Sequence, residues 1–369
     1  MDIDNEPTRD QTINDGSVNE ALVRYNIAID ALKKASSDTQ KFSALFVVTK
    51  AIIKPDSLTT DQFVKLFKAI GWKFLHRLLS EAQESEDSES PFIYQSIALS
   101  ILSSFYKSIP NQIDKNISVK FFEAIKPILR NINELKTDDE KQMLNDIIIC
   151  LSSFIQTLAD DDDQEHIKIL FDLEYPKMFL QLNVNPDFHD QLDHILCLIA
   201  RKFKWVCYDP LSFNEFMNVT ANEFQTNQDQ RKFDLCEELN TYIKQNSDGF
   251  ELFDLKGWVR SLSNGLYDIF RSKLSKNLRD PALKLTSALI ESFRGYRWIR
   301  QDQWDVETAK YLFVLTRLAC IEIKINIESE NIDLNILAIC YILLEHSIMT
   351  LISDDDGEQL AKLLPAQNM

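Results

Sequence analysis

The sequence predicts an all-α protein, an α-solenoid of stacked helical hairpins. Three observations point there. Apolar residues recur at spacings of three and four along most of the chain, which is the period of one helical face. Glycine is scarce, at 7 of 369 residues. That is too few for the tight turns of an all-β fold or for the glycine-rich phosphate loops of α/β folds. Helix pairs return about every 40–45 residues, close to the HEAT and armadillo period. Each pair shows more apolar face than it can bury alone, so neighbours must stack. A compact, non-repeating helical bundle is the alternative arrangement.

Residues 1–18 carry few apolar groups and are expected to form a disordered acidic tail. A single armadillo-like helical domain is expected over 19–365. Leu22, Tyr25, Ile29 and Leu32 share the first face. Ser37 and Asp38 punctuate, and Phe42, Leu45, Phe46, Thr49 and Ile53 make the second face, giving an αα-hairpin. Thr59 and Gln62 have the spacing of a capping box and open a helix that Gly71 stops; Trp72 to Leu79 is its partner. Residues 80–90 are acidic, Ser-rich and without apolar anchors, which predicts a flexible loop. Ser90 and Pro91 open an apolar-rich helix over Ile93–Tyr106. A helix over 117–132 contains Pro127, which should kink it. Thr137 and Glu140 repeat the capping-box spacing before Met143–Leu158, and Asp160–Asp163 separates the next element.

Tyr175–Pro176, Asn185–Pro186 and Asp209–Pro210 mark three helix entries, because proline at a first helical position sacrifices no bond. Leu192–Phe203 and Phe233–Ile243 carry helical stripes, and Ser247-Asp248-Gly249 is a turn. Leu255–Leu274 reads as a helix with Gly257 and Gly265 inside it, where a neighbour can pack closely. Asp280 reads as an N-cap with Pro281 at the first helical position. Ala282, Leu285, Leu289 and Phe293 then form a stripe, and Gly295 is the stop. Long helices at about 303–328 and 331–352 complete the array.

Charge narrows the partners. The net charge of −17 disfavours nucleic acid, whose phosphates such a surface repels. Against that background Arg271–Arg300 is a basic island, with eight basic residues and two acidic ones. Within it Arg294, Arg297 and Arg300 interleave with Tyr296 and Trp298. Planar guanidinium groups suit carboxylates and phosphates. These five residues are therefore the candidate partner-binding site, for an acidic or phosphorylated segment.

Chemistry of other kinds is not signalled. Asp187, His189, Asp190, Asp193 and His194 form the densest group of metal-ligand types, but their spacing matches no zinc pattern. The Asp160–Asp163 and Asp354–Asp356 runs lack the alternation, glycine and terminal Glu of a calcium loop. His76, His166 and His346 are single histidines with no nucleophile motif beside them. No enzyme activity, metal or cofactor is expected. The six cysteines form no CxxC pair and mostly lie in apolar runs, as reduced core thiols of a cytoplasmic protein do. The first twenty residues lack the apolar core of a signal peptide. The longest apolar run, Ile332–Ile352, contains Asp333, Asn335, Glu345 and His346, so no stable membrane insertion is expected.

Several stretches, read together, resemble the neurochondrin family. They are Ala31-Leu32-Lys33-Lys34-Ala35, Asp38 to Leu45, Val48-Thr49-Lys50-Ala51, and Ala69 to Leu79. Further on come Lys232-Phe233-Asp234-Leu235-Cys236, Ser272-Lys273-Leu274-Ser275 with Pro281-Ala282-Leu283-Lys284-Leu285, Leu318 to Glu322, and Ala338-Ile339-Cys340-Tyr341. The resemblance implies an armadillo-like fold over about the first half of the family's usual length. It also implies a cytosolic, non-enzymatic scaffold that binds other proteins, signalling kinases and receptor tails among them. The N-terminal cysteines that animal members use for palmitoylation have no counterpart here, so membrane anchoring is not carried over. The alternative role is a structural subunit that buries its apolar C-terminal helices in a larger complex.

Overall fold

A computed structural model describes residues 15–52, 58–80, 90–132, 137–159, 163–183, 186–252, 256–300 and 304–363. The expected tail over 1–14, the acidic loop over 81–89 and Asp160–Asp162 lie outside the described residues. Every regular element described is helical. The chain divides into two compact units, residues 1–195 and 196–369.

The first unit holds α1 (Asp15–Lys34), α2 (Asp38–Ile52), α3 (Thr60–Ile70), α4 (Trp72–Ser80), α5 (Ser90–Ser108), α6 (Lys115–Asn131), α7 (Asp138–Thr157), α8 (Gln164–Asp172) and α9 (Tyr175–Leu182). α10 (His189–Lys202) crosses into the second unit. α2, α5 and α7 stack as one layer, and α4, α6 and α8 as the other. Local chemistry sets the starts. Thr59 and Thr137 each accept a bond from the third helical N–H, while Gln62 and Glu140 reach back to the cap, so both capping boxes form. α1 begins at Asp15, inside the stretch expected to be tail. α6 runs on through Pro127 to Asn131.

The second unit holds α11 (Trp205–Tyr208), α12 (Pro210–Thr226), α13 (Gln230–Asn246), α14 (Lys256–Arg271), α15 (Lys276–Ser292), α16 (Arg297–Arg300), α17 (Val306–Glu328), α18 (Leu334–Ile352) and α19 (Asp354–Leu363). Here α12, α14 and α17 form one layer and α13, α15 and α18 the other. Gly265 lets α12 and α14 approach: a Cβ there would sit 2.5 Å from Phe224 Cε1.

Several side-chain bonds between successive hairpins fall within a narrow range of sequence separations. Ser103 Oγ donates to Asp146 Oδ1 (2.7 Å), Arg130 to Glu174 (2.7 Å), Asn246 Nδ2 to Ala200 O (3.3 Å) and Tyr296 OH to Leu343 O (2.9 Å). Their separations are 43, 44, 46 and 47 residues. One hairpin plus its turns is therefore the structural step within each unit.

Two expectations are corrected. Asp280 is not an N-cap, because α15 begins four residues earlier, at Lys276 after Ser275. Tertiary contact extends the helix: Arg279 donates to Leu274 O (2.5 Å) and its guanidinium lies in ionic contact with Glu322 of α17, a carboxylate only 3% exposed. Pro281 is then interior and removes one bond of the ladder. The cysteines are also not uniformly buried. Cys150, Cys236 and Cys340 are in the core, where burial raises their thiol pKa, to about 12 for Cys236 and Cys340; Cys207 and Cys320 are exposed.

Candidate functional site

The basic island folds into a cleft because α15 ends abruptly. Gly295 N–H reaches Ile290 O (2.8 Å) and Arg294 N–H reaches Glu291 O (3.5 Å), the paired bonds of a Schellman stop. Arg294, not glycine, holds the left-handed position at φ 53°, which costs on the order of 1 kcal/mol for a residue with a Cβ. Gly295 follows at φ 109°. The chain reverses and enters α16 through Tyr296, which is 3% exposed. Its hydroxyl donates to Leu343 O (2.9 Å) and meets Ser347 Oγ at 3.0 Å, tying this turn to α18. Burial pushes the Tyr296 pKa above its ordinary value, against the pull of the Ser347 bond.

α16 is a single turn, so its neighbours point apart. Trp298 and Ile299 go inward, and Arg297 goes to solvent. Arg300 is half-buried and paired with Asp356 of α19. Trp304 Nε1 donates to the same Asp356 oxygen at 3.1 Å. One carboxylate thus fixes a guanidinium and an indole together.

Arg294, Arg297, Arg300 and Tyr296 line an open cleft of about 200 Å³, closed on its other side by His346, Thr350 and Asp356. Three arginines and one aspartate, Asp356, are among its lining residues, and Arg300 is the arginine paired with that carboxylate. Arg297 is exposed and has no ion pair among the described residues. The nearby hydroxyls are committed to backbone: Thr350 Oγ1 donates to His346 O (2.8 Å) and Ser353 Oγ to Thr350 O (3.0 Å). Arginine side chains and one carboxylate therefore dominate the charged groups of the cleft.

Four of the five sequence-derived residues meet in this cleft. Trp298 does not: it is 2% exposed and packs edge-on against Tyr311, with ring centroids 6.0 Å apart. The alternation of aromatic and basic residues led to it, but in a helical turn that alternation separates inside from outside. The opposite wall was not anticipated. His346 and Asp356 lie some fifty residues downstream, and no local motif links them to Arg297.

The other polar clusters make internal bonds. Asp187 pairs with Lys141 (2.5 Å), and a His189 ring nitrogen lies 3.2 Å from Asn183 O. Among the described residues no three His, Cys, Asp or Glu side chains gather as a metal site. Asp163 takes bonds from Lys115 (2.6 Å) and the Ala159 N–H (2.8 Å). Burial opposes its ionisation, but these donors outweigh it and its pKa falls.

Comparison with known proteins places the chain. The Neurochondrin family model matches residues 18–369. The chain belongs to the neurochondrin family. It is 28% identical over 333 residues to the Neurochondrin homolog of Drosophila melanogaster, covering 88% of this chain and 44% of that protein. It is 26% identical to Neurochondrin of Gallus gallus, covering 89% and 46% of the two chains. With Neurochondrin of Homo sapiens it also shares 26%, over 89% and 43%. The chain thus spans less than half the length of these neurochondrins. The arginine cleft lies within the part matched by the family model.

Proposed function

We propose that this neurochondrin-family chain is a non-enzymatic cytoplasmic scaffold, and that its armadillo-like hairpins dock segments of other proteins. The arginine cleft would take an acidic or phosphorylated segment. The observation that carries this reading is the meeting of Arg294, Arg297 and Arg300 in one cleft of a chain whose net charge is −17. Opposite charge is concentrated where the rest of the surface would repel an anion. Arg300 is held in place by Asp356, so little side-chain freedom remains to be lost on binding. The hairpin step of 43–47 residues supports the armadillo-like reading.

The test is fluorescence anisotropy with a labelled acidic phosphoserine peptide and its unphosphorylated twin. The phosphopeptide should bind more tightly, and Arg297→Glu should weaken it at least about tenfold while helicity is unchanged. Equal affinity of wild type and Arg297→Glu would end the reading.

A second reading is a structural subunit that buries its C-terminal helices in a larger assembly. The open apolar side of α18 favours it, with Leu334 72% exposed and Ile352 67% exposed. Single surface leucines need no explanation, but a run of them along one helix does.

A further inference from the structure

α18 carries one buried stripe and one more open, apolar stripe. Ile336, Cys340, Leu343 and Ser347 are buried on the side that packs on α15 and α17. Leu334, Leu337, Tyr341, Leu344, Ile348 and Leu351 form the other, at alternating steps of three and four. That is heptad spacing, the period of a seam that receives a second helix. At about 100° per residue this stripe lies across the helix from His346 and Thr350, so it is separate from the arginine cleft. The seam is open, with Tyr341 53% and Ile348 56% exposed. α19 packs on α18 and α17 and buries Leu360, yet leaves these seam residues exposed. α18 has the length and apolarity of a membrane span, yet little of it is hidden.

Charge selects the occupant. Three exposed carboxylates flank the seam in sequence: Glu330 before its first residue, Glu345 beside its middle and Asp355 after its last. None has an ion pair among the described residues, whereas the local lysines are already used, Lys324 with Glu328 (3.9 Å) and Lys362 with Glu358 (3.3 Å). We propose that this stripe docks a basic amphipathic helix of another protein, with apolar residues at heptad spacing and Lys or Arg on their flanks. A second copy of this chain would bring the same carboxylates and a further net charge of −17. An anionic lipid surface would be repelled in the same way. The seam runs about 26 Å, which matches roughly 18 residues of helix. This proposal rests on the second reading above and is independent of the arginine cleft.

The experiment uses the whole chain and two labelled synthetic helices of about 18 residues. Both carry leucine at the heptad positions; one has lysine on the flanks and its twin has glutamate. Anisotropy at about 150 mM salt should show the lysine helix binding at least tenfold more tightly. Glu345→Lys should shrink that preference. Tyr341→Glu with Ile348→Glu should abolish binding of both, with circular dichroism unchanged because both side chains face solvent, and Arg297→Glu should change neither. If the two helices bind equally and the double variant loses both, the stripe docks helices but the basic partner is wrong. If the double variant binds as wild type does, the stripe is not a docking surface and the structural-subunit reading falls with it. A dimer by light scattering that Tyr341→Glu dissolves, or sedimentation with phosphatidylserine vesicles, would also overturn the proposal.

Discussion

Arg279 and Glu322 join α15 to α17, and cutting them one at a time should have unequal consequences. Glu322 is 3% exposed and Arg279 20%. Breaking a buried pair from one side costs about 3–5 kcal/mol, because the survivor is left charged and unpaired. Glu322→Ala leaves an arginine that keeps its 2.5 Å bond to Leu274 O and can turn toward solvent. Its cost belongs at the lower end, about 3 kcal/mol. Arg279→Ala leaves a carboxylate that cannot reach water and also deletes the bond to Leu274 O. Its cost belongs at the upper end, about 5 kcal/mol. The double variant Arg279→Ala/Glu322→Ala should cost less than the sum by about 2–3 kcal/mol. Four of the five tryptophans, Trp205, Trp258, Trp298 and Trp304, lie in the second unit, so their fluorescence during urea unfolding reports that unit. If Glu322→Ala is the more damaging single change, or if the two costs simply add, the pair does not hold α15 to α17 as described.

Three further outcomes follow from single positions. Gly265→Ala should destabilise by about 1–3 kcal/mol by urea melt, because crowding at 2.5 Å from Phe224 outweighs the gain of about 1 kcal/mol in helix propensity. Tyr296→Phe should cost about 1–2 kcal/mol in stability and leave phosphopeptide affinity unchanged, since its hydroxyl is spent on Leu343 and Ser347. Asp146→Asn should raise the melting temperature at pH 7 and gain less near pH 4. Burial raises the Asp146 pKa above its unfolded value, so its stabilising, protonated form is present at low pH and lost as pH rises through the folded pKa.

The helices were legible because their signals are local. Thr137 and Glu140 sit three residues apart, and the box they form depends on nothing else in the chain. Asp280–Pro281 misled for the same reason. Both residues favour a helix start, and only the contact of Arg279 with Glu322, 43 residues on, shows why the helix begins earlier. The cleft divides in the same way. Its arginines lie within seven residues and could be read together, but its far wall comes from α18 and α19 through tertiary packing. Trp298 shows the limit of pattern alone: whether an aromatic between two arginines is a binding surface or core depends on which way one short turn faces.

On the proposed reading, the internal ion pair would also bear on which anions the cleft takes. Asp356 already occupies one edge of Arg300, and Trp304 Nε1 at 3.1 Å keeps that carboxylate in place. An incoming monovalent carboxylate would have to compete with a carboxylate that is covalently tethered and pays no association cost. Arg297, pointing to solvent on the same turn, has no such competitor among the described residues. A phosphate carries close to two charges at neutral pH and three acceptor oxygens. On the proposed reading it would engage Arg297 without displacing Asp356 from Arg300. On the proposed reading, then, Asp356→Asn should narrow the gap between phosphorylated and merely acidic peptides. It would free Arg300 for the weaker ligand, and loss of all binding in that variant would show instead that Asp356 is needed to build the cleft.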